Sequence, residues 1–111
     1  MIIDKINEMR KTYGRRLIQY VDNEMSIHCE KHCWAMAQSD RIYISPEYFR
    51  NGWLEASAAV TFDGRWEKCE EELLKMVLME EHGREIVLDA TVVAFAVLDR
   101  DGLCYLTLRG K

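Results

Sequence analysis

The sequence predicts an α+β domain: a mostly antiparallel sheet of about five to six strands, with an N-terminal helix, a short middle helix and one long helix before a C-terminal β-hairpin. Three observations carry this expectation. Residues Thr91 to Leu98 and Leu103 to Leu108 are dense in β-branched, aromatic and aliphatic residues and flank Asp99-Arg100-Asp101-Gly102, a turn sequence. Leu54, Ala56, Ala58, Val60 and Phe62 alternate with Glu55, Ser57, Ala59 and Thr61, which is the period of a strand with one buried and one mostly solvated face. Trp66, Cys69, Leu73, Met76 and Val77 recur at helical spacing over Trp66 to His82, with Gly83 as a stop.

The remaining elements follow in chain order. Ile2, Ile6, Met9 and Tyr13 form a helical stripe, Asp4 stands in the first turn, Arg10 and Lys11 in the last, and Gly14 ends it. Leu17 to Val21 reads as a strand and Asp22-Asn23-Glu24 as a turn. Met25 to Gln38 fits two periods. Met25, Ile27 and Cys29 alternate as a strand would, whereas Met25, Cys29, His32 and Met36 form a helical stripe. The expectation is a hairpin partner for 17–21 that continues irregularly. Arg41 to Ile44 is expected as a short strand, and Ser45-Pro46-Glu47 as the start of a brief helix ended by Asn51-Gly52.

In the C-terminal hairpin, Gly102 suits a three-residue loop with a bulge, so Asp99 is expected to pair with Leu103. That register places Ala94, Ala96, Leu98, Cys104, Leu106 and Leu108 on one face. It places Val93, Phe95, Val97, Tyr105, Thr107 and Arg109 on the other. The main helix covers the first face; the second, more apolar than a solvated surface should be, is the expected interaction surface, with Val93, Phe95, Val97, Tyr105 and Arg109 as its contacts.

At 111 residues the chain is expected to be a single domain, 1–111, and 49% hydrophobic with 31% charged residues is ordinary for a folded protein. No apolar run approaches a membrane span, and Met-Ile-Ile-Asp-Lys has no signal-peptide anatomy, so the expected location is cytoplasmic. Residues 1–50 hold 8 Lys/Arg against 7 Asp/Glu, and residues 51–111 hold 7 against 12. That balance disfavours nucleic acid and anionic membrane as partners. Arg10, Lys11, Arg15 and Arg16 form one basic patch, read as helix-terminus and solvated residues. Glu67, Glu70, Glu71, Glu72, Glu80, Glu81 and Glu85 read as a solvated helix face.

The cluster that could carry chemistry is His28-Cys29-Glu30-Lys31-His32-Cys33. Thiolate and imidazole are zinc's preferred ligands, so His28, Cys29, His32 and Cys33 are candidate metal ligands, completed by Cys69 or Cys104 from elsewhere. No short cysteine knuckle is present, and the plain alternative is small hydrophobic thiols beside surface histidines. Cys29 or Cys33 with His28 or His32 could instead form a nucleophile and base, without a third orienting residue in view. Phosphate loops, His-Glu-x-x-His and Gly-x-Ser-x-Gly are absent from the sequence. The expected function is therefore a small non-enzymatic cytosolic regulator, inhibitor or adaptor, of the kind carried by phages or mobile elements. It would need no cofactor and would act on a protein partner or by self-association. A zinc-stabilised binding domain and a small Cys–His enzyme are the alternatives.

Overall fold

A computed structural model describes residues 1–46 and 52–111. Helix α1 (Ile2–Thr12) opens the chain, and buried Ile2 and Ile6 face inward as its apolar stripe requires. The expected strand at 17–21 shrinks to β1 (Tyr20–Val21). Helix α2 (Asn23–Ser39) follows at once and corrects the hairpin-partner reading of this segment. Its cap explains why. Asp22 accepts a hydrogen bond from the Met25 N–H at 2.8 Å, and Asp40 ends the helix in the left-handed region at φ 54°. Between them, Met25, Cys29, His32, Cys33 and Met36 turn one face toward the sheet.

Arg41 to Ile44, expected as a strand, has no regular secondary structure. The short helix expected after Ser45-Pro46 lies mostly outside the described residues. Strand β2 (Leu54–Thr61) appears where alternation placed it. The long helix expected from Trp66 to His82 is two helices, α3 (Trp66–Leu78) and α4 (Glu81–Asp89), and Gly83 sits inside the second rather than after the first. The chain breaks at Met79-Glu80 and bends back so tightly that a Cβ at Gly83 would overlap the Val77 carbonyl. Glycine is needed there for close approach.

Strands β3 (Val92–Arg100) and β4 (Leu103–Gly110) form the C-terminal hairpin. Its register differs from expectation by one residue: Arg100 pairs with Leu103, and Leu98 with Tyr105. The loop is the two-residue Asp101-Gly102, both with positive φ (52° and 78°), as a type I′ turn demands. Among the described residues the sheet has four strands in the order β1-β3-β4-β2, and only the two-residue β1–β3 ladder is parallel. Four mixed strands thus replace the five to six expected; the missing ones are 25–38, which is helix, and 41–44.

Helices cover both faces of this sheet, not one. Helices α1, α3 and α4 pack with Ala56, Ala58, Val93, Leu106 and Leu108 in the main core. Helix α2 packs on the opposite face, in smaller clusters with Ala94 and with Tyr105. Arg10 ties the first layer together. It is 1% exposed and donates from Nε to the Val87 carbonyl at 2.7 Å, from Nη2 to Ile86 at 2.9 Å and from Nη1 to Arg16 at 3.2 Å. The carbonyls of Ile86 and Val87 belong to the last turn of α4, which lacks a basic residue of its own.

The Gly83→Ala variant is expected to lose about 2–3 kcal/mol, because the added carbon meets backbone that cannot rotate aside. Urea unfolding followed by circular dichroism measures it; an unchanged midpoint would contradict the close approach.

Candidate functional site

The polar cluster of this protein lies on the sheet face under α2, and its register explains it. Glu55 of β2 stands directly opposite Arg109 of β4. Both side chains turn toward α2, so the face of β2 expected to be solvated is buried: Glu55 is 0% exposed and Ser57 6%. Arg109 Nε donates to Glu55 Oε1 at 2.7 Å, and Arg109 Nη1 reaches Met25 Sδ at 3.0 Å. The other carboxylate oxygen, Oε2, accepts the Ser45 N–H at 2.6 Å and lies 3.7 Å from His32 Nε2. His32 Nε2 itself lies 2.7 Å from the Tyr43 carbonyl. A carbonyl only accepts, so this nitrogen carries the proton. The Tyr43 ring meets the imidazole edge to face at 4.9 Å.

Each group is placed by an ordinary local cause. The i, i+4, i+7 positions of α2 bring Met25, Cys29 and His32 over the sheet. The αL turn at Asp40 reverses the chain so that Tyr43 and Ser45 return across the end of that face. Among the described residues, Arg109 Nη2 and Ser57 Oγ are buried without a protein hydrogen-bond partner.

The four candidate metal ligands are not brought to one point. His28 is exposed, while Cys29, His32 and Cys33 are buried toward the sheet. Cys33 Sγ lies 3.3 Å from Thr107 Oγ1 and 3.5 Å from the Ala96 carbonyl. Among the described residues no three His, Cys, Asp or Glu side chains converge as a metal site would require. The thiols are also poorly suited to attack. Burial raises Cys29 to about 12 and Cys33 to about 11, against the partial relief given by Arg109 and by the Thr107 hydrogen bond respectively. Burial likewise raises Cys69 and Cys104, which lie together in the main core.

The expected interaction residues divide between the two faces, because the register is shifted by one. Val93, Phe95 and Val97 join the main core, whereas Tyr105 and Arg109 lie under α2. Exposed apolar side chains sit elsewhere, among them Ile27 and Trp34 on the flank of α2 beside β3, Tyr20, and Met79 at the α3–α4 bend. The basic patch also disperses: Arg10 is buried, while Arg15 pairs with Asp89 at 3.3 Å. Of the acidic run, Glu67 and Glu71 flank Lys5 at 3.7 and 3.5 Å.

Glu55 and Arg109 escaped sequence reading as a pair. A lone Glu in an alternating strand looks solvated, and nothing local links it to an Arg more than fifty residues later.

Truncating one partner of this pair strands a buried charge, so Glu55→Ala is expected to cost about 3–5 kcal/mol, and a Glu55→Leu, Arg109→Met double variant to recover most of that loss. Chemical denaturation of the three proteins decides it. Thiol reactivity gives a second check. Cys29 and Cys33 should be inert to alkylation at pH 8 until the protein unfolds. Since folding raises these thiols, their stabilising effect is whole below about pH 9, the unfolded value, and falls as pH rises toward 11–12. Fast labelling of the native protein would contradict their burial.

No protein-family model matches the sequence, and no curated protein matches it. Solved structures match the chain in fold. The chain superposes on an outer surface protein from Borrelia burgdorferi with a TM-score of 0.69 at 11% identity, covering 98% of this chain and 87% of that one. It superposes on an extracellular, SCP-domain-containing protein from Bacillus anthracis with a TM-score of 0.62 at 17% identity, covering 99% of this chain and 39% of that one. Both proteins are described as outer-surface or extracellular, which overturns the expectation of a cytoplasmic regulator, inhibitor or adaptor. Its location rested on the absence of a membrane span and of signal-peptide anatomy, and its role on absent catalytic motifs and the apolar second face of the hairpin. The fold is SCP-like: α+β, with four helices and a four-stranded mixed sheet among the described residues.

Proposed function

We propose that the chain is a secreted or cell-surface domain that acts by non-catalytic contact with a protein partner outside the cytoplasm. The observation that carries this is the superposition of nearly the whole chain, 98%, on most of a protein described as an outer surface protein. A second fold neighbour described as extracellular points the same way. The chemistry of the polar cluster supports the non-catalytic part. Glu55 has both oxygens engaged by protein donors, His32 Nε2 is bonded to a carbonyl, and the neighbouring thiols are buried and protonated. A catalytic acid, base or nucleophile must instead reach substrate.

The free cysteines are compatible with an oxidising exterior. All four are buried, and a protonated, inaccessible thiol exchanges slowly with disulfides.

Protease treatment of intact cells of the encoding organism, with immunoblotting of surface, medium and cytoplasmic fractions, tests the location. The protein is expected to be digested on intact cells or recovered from the medium. Complete protection with recovery solely from the cytoplasm would overturn the reading.

A further inference from the structure

Among the described residues, strand β3 is an edge strand over most of its length. β1 pairs only with Val92 and Val93, and Asp22 closes that ladder by donating its N–H to the Val93 carbonyl at 2.8 Å. Val92 exchanges both hydrogen bonds with Lys111 on the β4 side. Even-numbered β3 residues therefore turn their backbone groups inward to β4, and odd-numbered ones turn theirs to the edge. The Phe95 N–H is taken by Ser26 Oγ at 3.2 Å. Beyond it, among the described residues, the Phe95 carbonyl, both backbone groups of Val97 and the Asp99 N–H have no protein partner. Such alternating donors and acceptors are completed by an extended backbone.

The surroundings of this edge say which backbone. A groove of about 400 Å³ runs between α2 and β3, lined by Ser26, Ile27, Glu30, Ala96, Val97 and Leu98. Ile27 lines it with 54% of its surface exposed, and Trp34, 42% exposed, stands seven residues further along α2. Arg100 ends the strand on the same side, its guanidinium 5.2 Å from the Trp34 ring centre. An antiparallel second copy with Leu98 on the twofold axis pairs Val97 with Asp99 of its mate, twice. In that register Arg100 of each copy falls beside Ala96 of the other, on the α2 side, where Glu30 lines the groove. The exposed carboxylate of one copy thus meets the guanidinium of the other at both ends. No like charges are opposed, since Asp99 faces Val97. The edge is complementary to itself in hydrogen bonding, in apolar border and in charge.

We propose that the open edge of β3 is a homodimerisation site at which two copies join their sheets antiparallel, through Val97 and Asp99 backbone bonds and reciprocal Glu30–Arg100 pairs. This inference does not depend on where the domain acts.

Sedimentation equilibrium of the full chain across micromolar to millimolar concentrations tests it. Wild type is expected to show a monomer–dimer equilibrium. Val97→Pro removes one outward N–H and leaves the β4 ladder intact, so it should be monomeric with an unchanged circular dichroism spectrum. Arg100→Glu should weaken the dimer on the order of tenfold, and the Glu30→Arg, Arg100→Glu double variant should restore it. That restoration keeps the test sharp if the proline variant fails to fold. A wild type monomeric throughout would overturn the proposal and leave the edge to an extended segment of a different protein. A dimer indifferent to these substitutions would also overturn it.

Discussion

The ion pair between Glu55 and Arg109 sets the terms for half of this structure. Taking both charges out of water costs several kcal/mol per ion, which only close contact and further hydrogen bonds can offset. The register of β2 on β4 supplies the contact, at 2.7 Å. The further bonds come from two other places in the chain: the Ser45 N–H to the carboxylate, and Met25 of α2 to the guanidinium. The pair is therefore stable only when β2, β4, α2 and the 40–46 segment are all seated. A one-residue slip of β2 would move Glu55 into the main core and leave Arg109 alone.

This dependence suits a layer whose apolar contacts are divided into small clusters. On the α1, α3 and α4 side, isoleucines, leucines and valines fill the core, and burial of that kind is strongly stabilising without being directional. On the α2 side the buried apolar contacts fall into two small clusters, Cys29, Trp53 and Ala94 in one and Cys33, Met36 and Tyr105 in the other. Polar anchors with fixed geometry do the positioning instead: Asp22 at the helix start, Ser26 on Phe95, Cys33 by Thr107, and His32 on Tyr43. Arg10 shows the same device on the other side, bonding the carbonyl end of α4 to α1. Two buried arginines thus fix orientations that packing alone would leave loose.

What was legible in the sequence follows from the same contrast. The N-terminal helix, the alternating β2 and the C-terminal hairpin are each specified by a pattern within a dozen residues. The hairpin register was not, because Gly102 serves a three-residue bulged loop as well as a type I′ turn. Asp101, tolerating φ of 52°, decides it, and one residue of slip exchanges the faces. Met25 to Gln38 is ambiguous because its apolar residues satisfy both periods, and the deciding signal, Asp22 capping Met25, lies in Asp22-Asn23-Glu24, whose composition equally suits a turn. The Glu55–Arg109 pair was illegible because its meaning lies in long-range strand pairing. An SCP-like fold was equally beyond reach, since two structural neighbours keep it at 11% and 17% identity.

Asp22 links the two faces of this arrangement. Its N–H bonds to Val93 and completes β1, its side chain caps α2, and its carbonyl accepts from Ser26 Oγ at 2.8 Å. One residue thus ends the strand and starts the helix, with no other residue between them. Because α2 begins there, it can lie across the sheet and seal Glu55 and Arg109 from water. For the same reason β1 cannot extend beside Phe95, Val97 and Asp99. The cover over the buried pair and the open edge of β3 are two results of one turn, so lengthening β1 to close the edge would displace the first turn of α2, and with it Met25 from Arg109 and Ser26 from Phe95.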